Sequence, residues 1–323
     1  MQFNVFPHDS KFDFMRLRFV STGLSIALLV VALAAMAMQG FNFALDFTGG
    51  TAVELRFDKP ADVDAVRERL DAAGFPGAQV QTYGSGADLL VRLQPKEVEG
   101  GQDAAGDPDT DSSQIAEQVV GIVSTPANPA HRLSSGYVGP QVGKELAQNG
   151  IYAMLFVVIG FLAYISFRFE WKFAVAAILA TMHDVFVVAG WFAVTGHEFD
   201  LTVLAGIMGV MGFSINDTIV VFDRVRENFR GMRASPREIL NASVNQTLSR
   251  TVITSFVAFL TTLALYLYGG GSLQGMAESM MIGIVVGTLS SIFVACPLLM
   301  WLGTNKQDLM PKARDDAELA RRP

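Results

Sequence analysis

The sequence predicts a polytopic α-helical membrane protein with six transmembrane helices and one extracytoplasmic α+β domain between the first two helices. Three observations favour this fold class. Of the 323 residues, 51% are apolar and only 17% are charged, against about 25% charged residues in soluble domains. Six apolar windows are long enough to cross a bilayer. The basic residues are also distributed unevenly among the segments between those windows.

A transmembrane helix needs about 20 mostly apolar residues. The windows that approach or exceed this length are 19–38, 151–167, 173–195, 201–222, 252–267 and 277–302. A short polar turn separates the third window from the fourth, so these two form a hairpin. The first window is longer than the apolar core of a signal peptide, and we interpret it as a retained helix.

The placement of Lys and Arg predicts the orientation. Six helices put both termini on one side, where 1–18, 168–172, 223–250 and 304–323 hold 16 of the 24 basic residues. The segment 39–150 holds only eight basic residues beside 16 acidic ones. Both termini are therefore predicted to be cytoplasmic, and 39–150 to be extracytoplasmic.

The 39–150 segment is long enough for a small domain. Apolar periodicity predicts alternating strands and helices in a β-α-β-β-α-β order, which is typical of a ferredoxin-like fold. In chain order these elements are 50–57, 61–73, 78–83, 87–94, 113–123 and 133–142. The stretch 97–111 is acidic and rich in glycine, and we interpret it as an insertion in this domain.

The 223–250 segment predicts a cytoplasmic loop with one helix. Ser235, Pro236 and Glu238 have the spacing of an N-cap, a first helical residue and a capping-box acid. We expect an amphipathic helix from Pro236 to about Leu248 that lies along the membrane surface.

Asp217 is an acidic residue inside a predicted transmembrane helix, where an ionisable side chain is costly and indicates function. It lies 16 residues beyond the start of the 201–222 helix, or ~24 Å at 1.5 Å per residue. At this depth Asp217 would lie on the cytoplasmic side of the bilayer centre but still within the hydrocarbon core. Arg250 enters the next helix from the same side, so a contact between the two is geometrically possible.

An Asp beside an Arg can act as a proton switch. Loss of water favours the protonated carboxyl, and a nearby cation favours the charged one. Movement of Arg250 would therefore make Asp217 bind or release a proton. Asn216 and Thr218 are candidates to orient the carboxyl or to hold a water. A structural polar pair, or an Asp217 that faces cytoplasmic water, explains the same residues, and both interpretations remain open.

His183 and Asp184 lie in the middle of the 173–195 helix. His is a natural proton carrier near neutral pH, but hydrogen bonding between helices explains the pair as well. We predict that His183 and Asp184 give polar support to the site.

Two glycine-containing stretches flank the extracytoplasmic domain at its membrane junctions. One is Asp46-Phe47-Thr48-Gly49-Gly50, and the other contains Gly139 and Pro140. Gly and Pro fix unusual backbone angles, so either stretch alone is explained by a turn. Together they predict hinges of a domain that moves as a body.

Nothing in the sequence indicates an enzyme or a bound cofactor. The four histidines and the single cysteine have no metal-ligand spacing. No phosphate-binding glycine loop and no nucleophile motif occur. We expect the lipid bilayer as a partner, and no metal, cofactor or nucleic acid.

Three stretches resemble the SecD and SecF family of protein-export membrane proteins. DFTGG at 46–50 resembles the family signature, and VGPQVGKEL at 138–146 resembles its second-helix junction. FSINDTIVVFDRVREN at 213–228 resembles the SecF version of the fourth helix, and 249–251 begins the fifth helix as in SecF. The resemblance covers about residues 12–303.

The resemblance implies a subunit that pairs with a homologous six-span SecD-like subunit, in a unit similar to proton-driven exporters of the RND superfamily. It implies association with the SecYEG channel in the bacterial inner membrane. The proton motive force, or sodium in some relatives, would help to draw the preprotein into the periplasm. The family's intramembrane Asp and Arg fall on Asp217 and Arg250, and its His-Asp pair falls on His183 and Asp184. The alternatives are an RND-type small-molecule exporter half and a purely structural assembly subunit of the translocon.

Overall fold

We describe the protein from a computed structural model, in which residues 12–83, 86–93 and 108–305 are described. The predicted acidic insertion at 97–111 and the tail at 304–323 lie mostly outside these residues. The chain divides into two compact units. The bundle unit comprises Met1–Phe41, Met154–His197 and Thr202–Pro323, and the sheet unit comprises Asn42–Ala153 and Glu198–Leu201.

The described elements begin with one long helix, continue with a block of short strands and shorter helices, and end with a series of long helices. In chain order they are a 3-10 turn (Phe14–Leu17), α1 (Arg18–Met38), β1 (Asn42–Phe43), α2 (Leu45–Thr48), β2 (Gly50–Phe57), α3 (Val63–Ala72), β3 (Gln79–Tyr83), β4 (Asp88–Leu93), α4 (Pro108–Val123), β5 (Ala130–Val138), α5 (Pro140–Arg168), α6 (Trp171–Thr195), β6 (Glu198–Phe199), α7 (Leu201–Gly231), α8 (Pro236–Tyr268), α9 (Gly271–Ser290), a π-helical segment (Ser291–Ala295) and α10 (Cys296–Trp301).

Six helices within the described residues are long and apolar enough to cross a membrane. They are α1, α5, α6, α7, α8 and the continuous run from α9 to α10. The prediction of six helices able to span a membrane is therefore confirmed.

Three of these helices form the interior of the bundle unit. The most apolar stretches of α6, α7 and the α9–α10 run are 61%, 56% and 61% buried, against 11% for α1 and α5 and 17% for α8. Phe173 of α6 packs edge-on against Phe222 of α7, with ring centroids 5.3 Å apart. Gly190 of α6 lies directly against Ala32 of α1, where no side chain would fit. The outer helices α1, α5 and α8 therefore present apolar surface to their surroundings.

The 223–250 segment differs from the predicted loop. Its first part belongs to α7, which continues to Gly231, and most of the rest belongs to α8, which begins at Pro236. The prediction of a separate amphipathic helix along the membrane surface is wrong. Hydropathy marks only the apolar part of a helix, whereas backbone hydrogen bonding continues through polar sequence until a cap or a stop.

The start of α8 is capped as predicted. The Ser235 side chain accepts a hydrogen bond from the Glu238 backbone N–H, and the Glu238 side chain accepts one from the Ser235 backbone N–H. Pro236 occupies a position in the first helical turn, where no N–H is needed. This capping box fixes where the helix that carries Arg250 begins.

The sheet unit contains a four-stranded antiparallel sheet with strand order β3-β4-β2-β5. Its inward-facing side chains, among them Val53, Leu55, Leu89 and Val91, are fully buried. Helices α3 and α4 contribute Leu70 and other apolar residues to the same core. The predicted strand at 50–57 is present with these bounds.

The last strand lies earlier than predicted. It spans Ala130–Val138 rather than 133–142, because α5 begins at Pro140. The second-helix window at 151–167 was likewise too short, since α5 continues through the polar residues in front of it.

Candidate functional site

Asp217 is a buried carboxyl in the interior of the bundle unit. It lies on α7, and its residue is only 2% exposed. The hydroxyl of Ser255, on α8, lies 3.4 Å from Asp217 Oδ2 and 2.7 Å from the Thr251 carbonyl oxygen. A hydroxyl carries one proton, so Ser255 can donate to either acceptor but not fully to both. Rotation of this hydroxyl would therefore respond to the charge on Asp217.

A third helix joins this site through Thr288. The Thr288 hydroxyl, on α9, lies 2.7 Å from Ser255 Oγ and 2.6 Å from the Ile284 carbonyl oxygen. The polar contacts around Asp217 therefore connect α7, α8 and α9 in one row of groups that can donate or accept protons.

Arg250 lies near Asp217 but forms no ion pair with it among the residues that the structure describes. The distance still allows an electrostatic interaction between the two groups. Arg250 is exposed and lines a cleft of about 320 Å³ between α7 and α8, together with Asp223 and Glu227. These two acids pair with other arginines, Asp223 with Arg168 and Glu227 with Arg224. In this conformation Arg250 is therefore close to Asp217 and not engaged by its acidic neighbours.

The other two predicted neighbours of Asp217 do not bind its carboxyl. Asn216 is exposed on the surface of α7. The Thr218 hydroxyl is buried and, within the described part of the chain, has no hydrogen-bond partner. Neither side chain therefore orients the Asp217 carboxyl in this conformation.

Asp184 forms a second buried polar cluster, and it is fully buried on α6. The hydroxyls of Ser214, on α7, and Ser290, on α9, each lie 2.6 Å from Asp184 Oδ2. His183 Nδ1 lies 3.0 Å from Asp184 Oδ1, and His183 Nε2 is buried without a partner in the described residues. Asp184 thus links three interior helices.

The two clusters share two helices. Ser214 and Asp217 lie three residues apart on α7, and Thr288 and Ser290 lie two apart on α9. Close helix packing allows this arrangement, because a side chain at Gly287 would meet Ser214 Cβ at 3.2 Å. A shift of α9 against α7 would therefore change both clusters together.

The helix backbone changes type directly after Ser290. Residues Ser291–Ala295 form a π-helical segment, followed within two residues by Pro297. Proline has no N–H to donate and crowds the preceding turn, and a π-helical turn absorbs such a mismatch. Segments of this kind are frequent at functional sites.

Sequence reasoning missed the hydroxyl partners of both acids. Ser214, Ser255 and Ser290 stand among the small residues of apolar helices, where they are explained by close packing. Most such hydroxyls donate to a carbonyl of their own helix, as Thr262 does to Ala258 O at 3.1 Å. No sequence signal separates the residues that also bridge to a carboxyl.

The DFTGG stretch forms a compact turn in the sheet unit. Asp46, Phe47 and Thr48 belong to α2, and Asp46 Oδ2 accepts a hydrogen bond from the Leu201 backbone N–H at 3.2 Å. The next residue, Gly49, has φ 69° and ψ 169°, which a residue with a side chain rarely adopts.

Gly50 adds a steric requirement to the same turn. Its φ is 126°, and a side chain there would collide with the Leu93 carbonyl. In the second junction, Gly139 precedes Pro140, the first residue of α5, and its carbonyl accepts from Gly143 N at 2.9 Å. Both stretches fix backbone geometry where the sheet begins and ends.

Two family models match this chain. One is described as "Protein export membrane protein SecD/SecF, C-terminal" and covers residues 120–305. The other is described as "SecD/SecF GG Motif" and covers residues 34–61, which include DFTGG.

Two relatives that match along nearly the whole of both chains are named as protein translocase subunit SecF. The protein translocase subunit SecF of Escherichia coli O157:H7 is 42% identical over 93% of this chain and 90% of its own. That of Pseudomonas aeruginosa is 43% identical over 94% of this chain and 95% of its own.

A solved structure has the same fold. It is a crystal structure of SecDF from Thermus thermophilus, described as a translocon-associated membrane protein. It is 37% identical with a TM-score of 0.79, and the match covers 93% of this chain. This chain spans 40% of the length of that SecDF chain. The chain belongs to the SecD/SecF family of protein export membrane proteins.

Proposed function

We propose that this chain is the SecF-like subunit of an accessory complex of the Sec translocase, and that it uses the proton motive force to promote preprotein translocation. The observation that carries the proposal is Asp217, a carboxyl buried among three membrane-spanning helices. Ser255, which can donate to the Asp217 carboxyl, lies on α8, and Thr288, which can donate to Ser255, lies on α9. An acid in such a position is retained for function rather than for stability.

The ion-coupling step follows from these contacts. A protonated Asp217 is neutral and tolerates the dry interior of the bundle. An ionised Asp217 attracts Arg250 and draws the Ser255 hydroxyl away from the Thr251 carbonyl. Each change of charge therefore favours a different packing of α7 against α8. The proton is the proposed coupling ion, and sodium is the alternative. His183 and Asp184 hold α6 in register with the moving helices.

The proposed topology places both termini in the cytoplasm and the sheet unit in the periplasm. The excess of Lys and Arg in 1–18, 168–172, 223–250 and 304–323 supports this orientation. The element order and the strand order β3-β4-β2-β5 support a ferredoxin-like fold for the sheet unit.

The proposed membrane partner is a SecD-like six-span subunit. The related SecDF structures and the SecDF of Brucella abortus match this chain over only 40% of their own length, which leaves room in one polypeptide for a second half. Asn216 and Arg250 are exposed on membrane-spanning helices. Polar groups facing lipid are costly, so a partner's helices would cover this face. SecYEG and the translocating preprotein are the proposed further partners, and the proposed role is transport rather than enzymatic catalysis.

Export in cells tests the proposal. Cells that lack their own homologue would express this chain together with its SecD-like partner, and preprotein maturation would be followed by pulse-chase labelling. Asp217→Asn removes the proton-binding carboxyl and should slow maturation by about tenfold or more at normal protein levels. Glu227→Gln is the matched control, since it also neutralises an acid on α7 but one that is exposed and paired with Arg224. Normal maturation with Asp217→Asn would refute the motor and favour a structural subunit.

A further inference from the structure

The sheet unit contains the residues that lead directly into α7. β1 pairs in parallel with β6, and the Ala44 backbone N–H donates to Phe199 O at 3.0 Å. Glu198–Leu201 accordingly belongs to the same compact unit as the four-stranded sheet. Because Leu201 is the first residue of α7, this unit holds the beginning of the helix that carries Asp217.

Asp46 binds the first backbone group of α7. The N–H groups in the first turn of a helix have no partner within the helix, and Asp46 Oδ2 accepts the one from Leu201 at 3.2 Å. A carboxylate at this end also interacts favourably with the helix dipole. Thr48 holds the turn that carries Asp46, since its hydroxyl donates to Ala44 O at 3.1 Å. The acidic residue of DFTGG is thus a cap for a helix more than 150 residues further along the chain.

A second contact fixes β6, the short strand just ahead of α7. The guanidinium of Arg92, on β4, forms an ion pair with the Glu198 carboxylate. Arg92 is only 5% exposed, and its Nη1 also donates to the Phe43 carbonyl at 3.5 Å. Loss of Glu198 would leave the buried Arg92 guanidinium without its opposite charge. The position of β6 is therefore strongly constrained by the sheet.

Three aromatic rings complete the junction. Phe43, Phe47 and Phe199 contact one another pairwise, with ring centroids 5.6, 6.0 and 6.2 Å apart. They belong to β1, α2 and β6. Backbone pairing, a helix cap, an ion pair and a ring cluster thus hold the same short segment.

The helix that starts in this junction is unbroken as far as the buried acid. α7 is one α-helix from Leu201 to Gly231 and contains no proline. Asp217 lies 16 residues from Leu201, or ~24 Å at 1.5 Å per residue. Displacement of α7 along its axis at Asp217 therefore displaces Leu201 by a similar amount.

We propose that Asp46, Arg92 and Glu198 are positioning residues that couple axial movement of α7 to the sheet unit, so that the charge state of Asp217 is transmitted to the domain through this junction. The inference rests on the proposed function and adds the route by which ion movement reaches the domain. α5 also runs from one unit into the other, so the covalent connection persists in every variant. The three residues add non-covalent contacts between the sheet and the beginning of α7.

The test uses this chain with its SecD-like partner in proteoliposomes that also contain the Sec channel. Proton flux would be recorded with an enclosed pH-sensitive dye, and preprotein translocation would be measured in the same vesicles. Arg92→Glu places two acids side by side, and the double variant Arg92→Glu with Glu198→Arg restores an ion pair of reversed sense. Asp46→Ala removes the cap, whereas Asp46→Asn retains an oxygen that can accept from Leu201.

The expected result is a separation of the two activities. Arg92→Glu and Asp46→Ala should retain proton flux while gradient-driven translocation falls by about fivefold or more. The double variant and Asp46→Asn should regain most of it. The inference would be overturned if the single variants lost proton flux together with translocation. It would also be overturned if they left translocation unchanged. Asp217→Asn separates the two proposals: if that variant retains both flux and translocation, the proposed function itself fails.

Discussion

The Thr288 hydroxyl of α9 lies 2.7 Å from the Ser255 hydroxyl of α8, which in turn faces the carboxyl of Asp217 on α7. The contact brings a third helix into the environment of the buried acid. Under the proposed function, a proton that binds or leaves Asp217 would therefore act on two neighbouring helices through hydroxyl groups, in addition to any attraction between Asp217 and Arg250.

Removal of the bridging hydroxyl should weaken coupling without abolishing it. Ser255→Ala deletes the group that can donate to Asp217, and Thr288→Val deletes the group behind it with little change of shape. Each should reduce gradient-stimulated export by about threefold to tenfold, in line with the loss of one ordinary hydrogen bond of about 0.5–1.5 kcal/mol. Thr261→Val is the control, since Thr261 is exposed and its hydroxyl donates to Val257 O of its own helix at 2.9 Å. Export equal to that of the control would show that the hydroxyls of Ser255 and Thr288 have no role in coupling.

Asp184 should matter for stability through its two serine partners. Asp184→Leu leaves the hydroxyl of Ser214 without its buried acceptor, at a cost of about 1–3 kcal/mol, and it leaves Ser290 only the weaker contact with Gly287 O at 3.3 Å. Asp184→Asn retains one oxygen acceptor and should lose less. The measurement is the unfolding midpoint of the purified chain in detergent. A leucine variant as stable as the asparagine variant would contradict this role for the cluster.

Close approach of α7 and α9 should make Gly283 intolerant of a side chain. A Cβ at this position would collide with Val210, and Gly283→Ala should destabilise the chain by about 1–3 kcal/mol. Gly160→Ala on α5 is the matched control, because nothing lies within 4 Å of that position. The control should be neutral, or stabilising by up to about 1 kcal/mol. Equal midpoints for the two variants would mean that the helices do not pack this closely.

Glu198 should make the stability of the folded chain depend on pH. Burial raises the pKa of its carboxyl above the ordinary value of 4.5, although the Arg92 guanidinium opposes the shift. The folded chain then holds a proton that the unfolded chain has released, so between the two pKa values stability falls as the pH rises. The unfolding midpoint of the wild type relative to Glu198→Gln should therefore decrease as the pH rises from about 4 and level off above the raised pKa. A relative midpoint that increases over this range would contradict the assignment.

The sequence was sufficient for the parts of the fold that depend on composition. Six apolar windows predicted six helices, because a membrane-spanning helix must be apolar along its length. The ends of these helices were not predictable in the same way. α7 and α8 extend into charged sequence such as Arg224 and Arg237, where helix propensity and a capping box decide the boundary rather than hydropathy.

The site was predictable only in part, for a related reason. An acid such as Asp217 stands out in an apolar helix, so its position alone marks it. Its partners Ser255 and Thr288 do not, because a small hydroxyl is common in packed helices and its bridging contact depends on helix register. The contact of Asp46 with Leu201 could not be predicted either, because the two residues are far apart in the chain and no sequence periodicity links them.

Translocation in proteoliposomes with and without an imposed proton gradient is the most direct test of Asp217 as the coupling acid. The wild-type chain with its SecD-like partner should translocate preprotein faster when the gradient is present, and Asp217→Asn should translocate at the same rate in both conditions. The two complexes should be equal without the gradient, which controls for folding and assembly. A gradient response of Asp217→Asn equal to that of the wild type would contradict the assignment of Asp217 as the coupling acid.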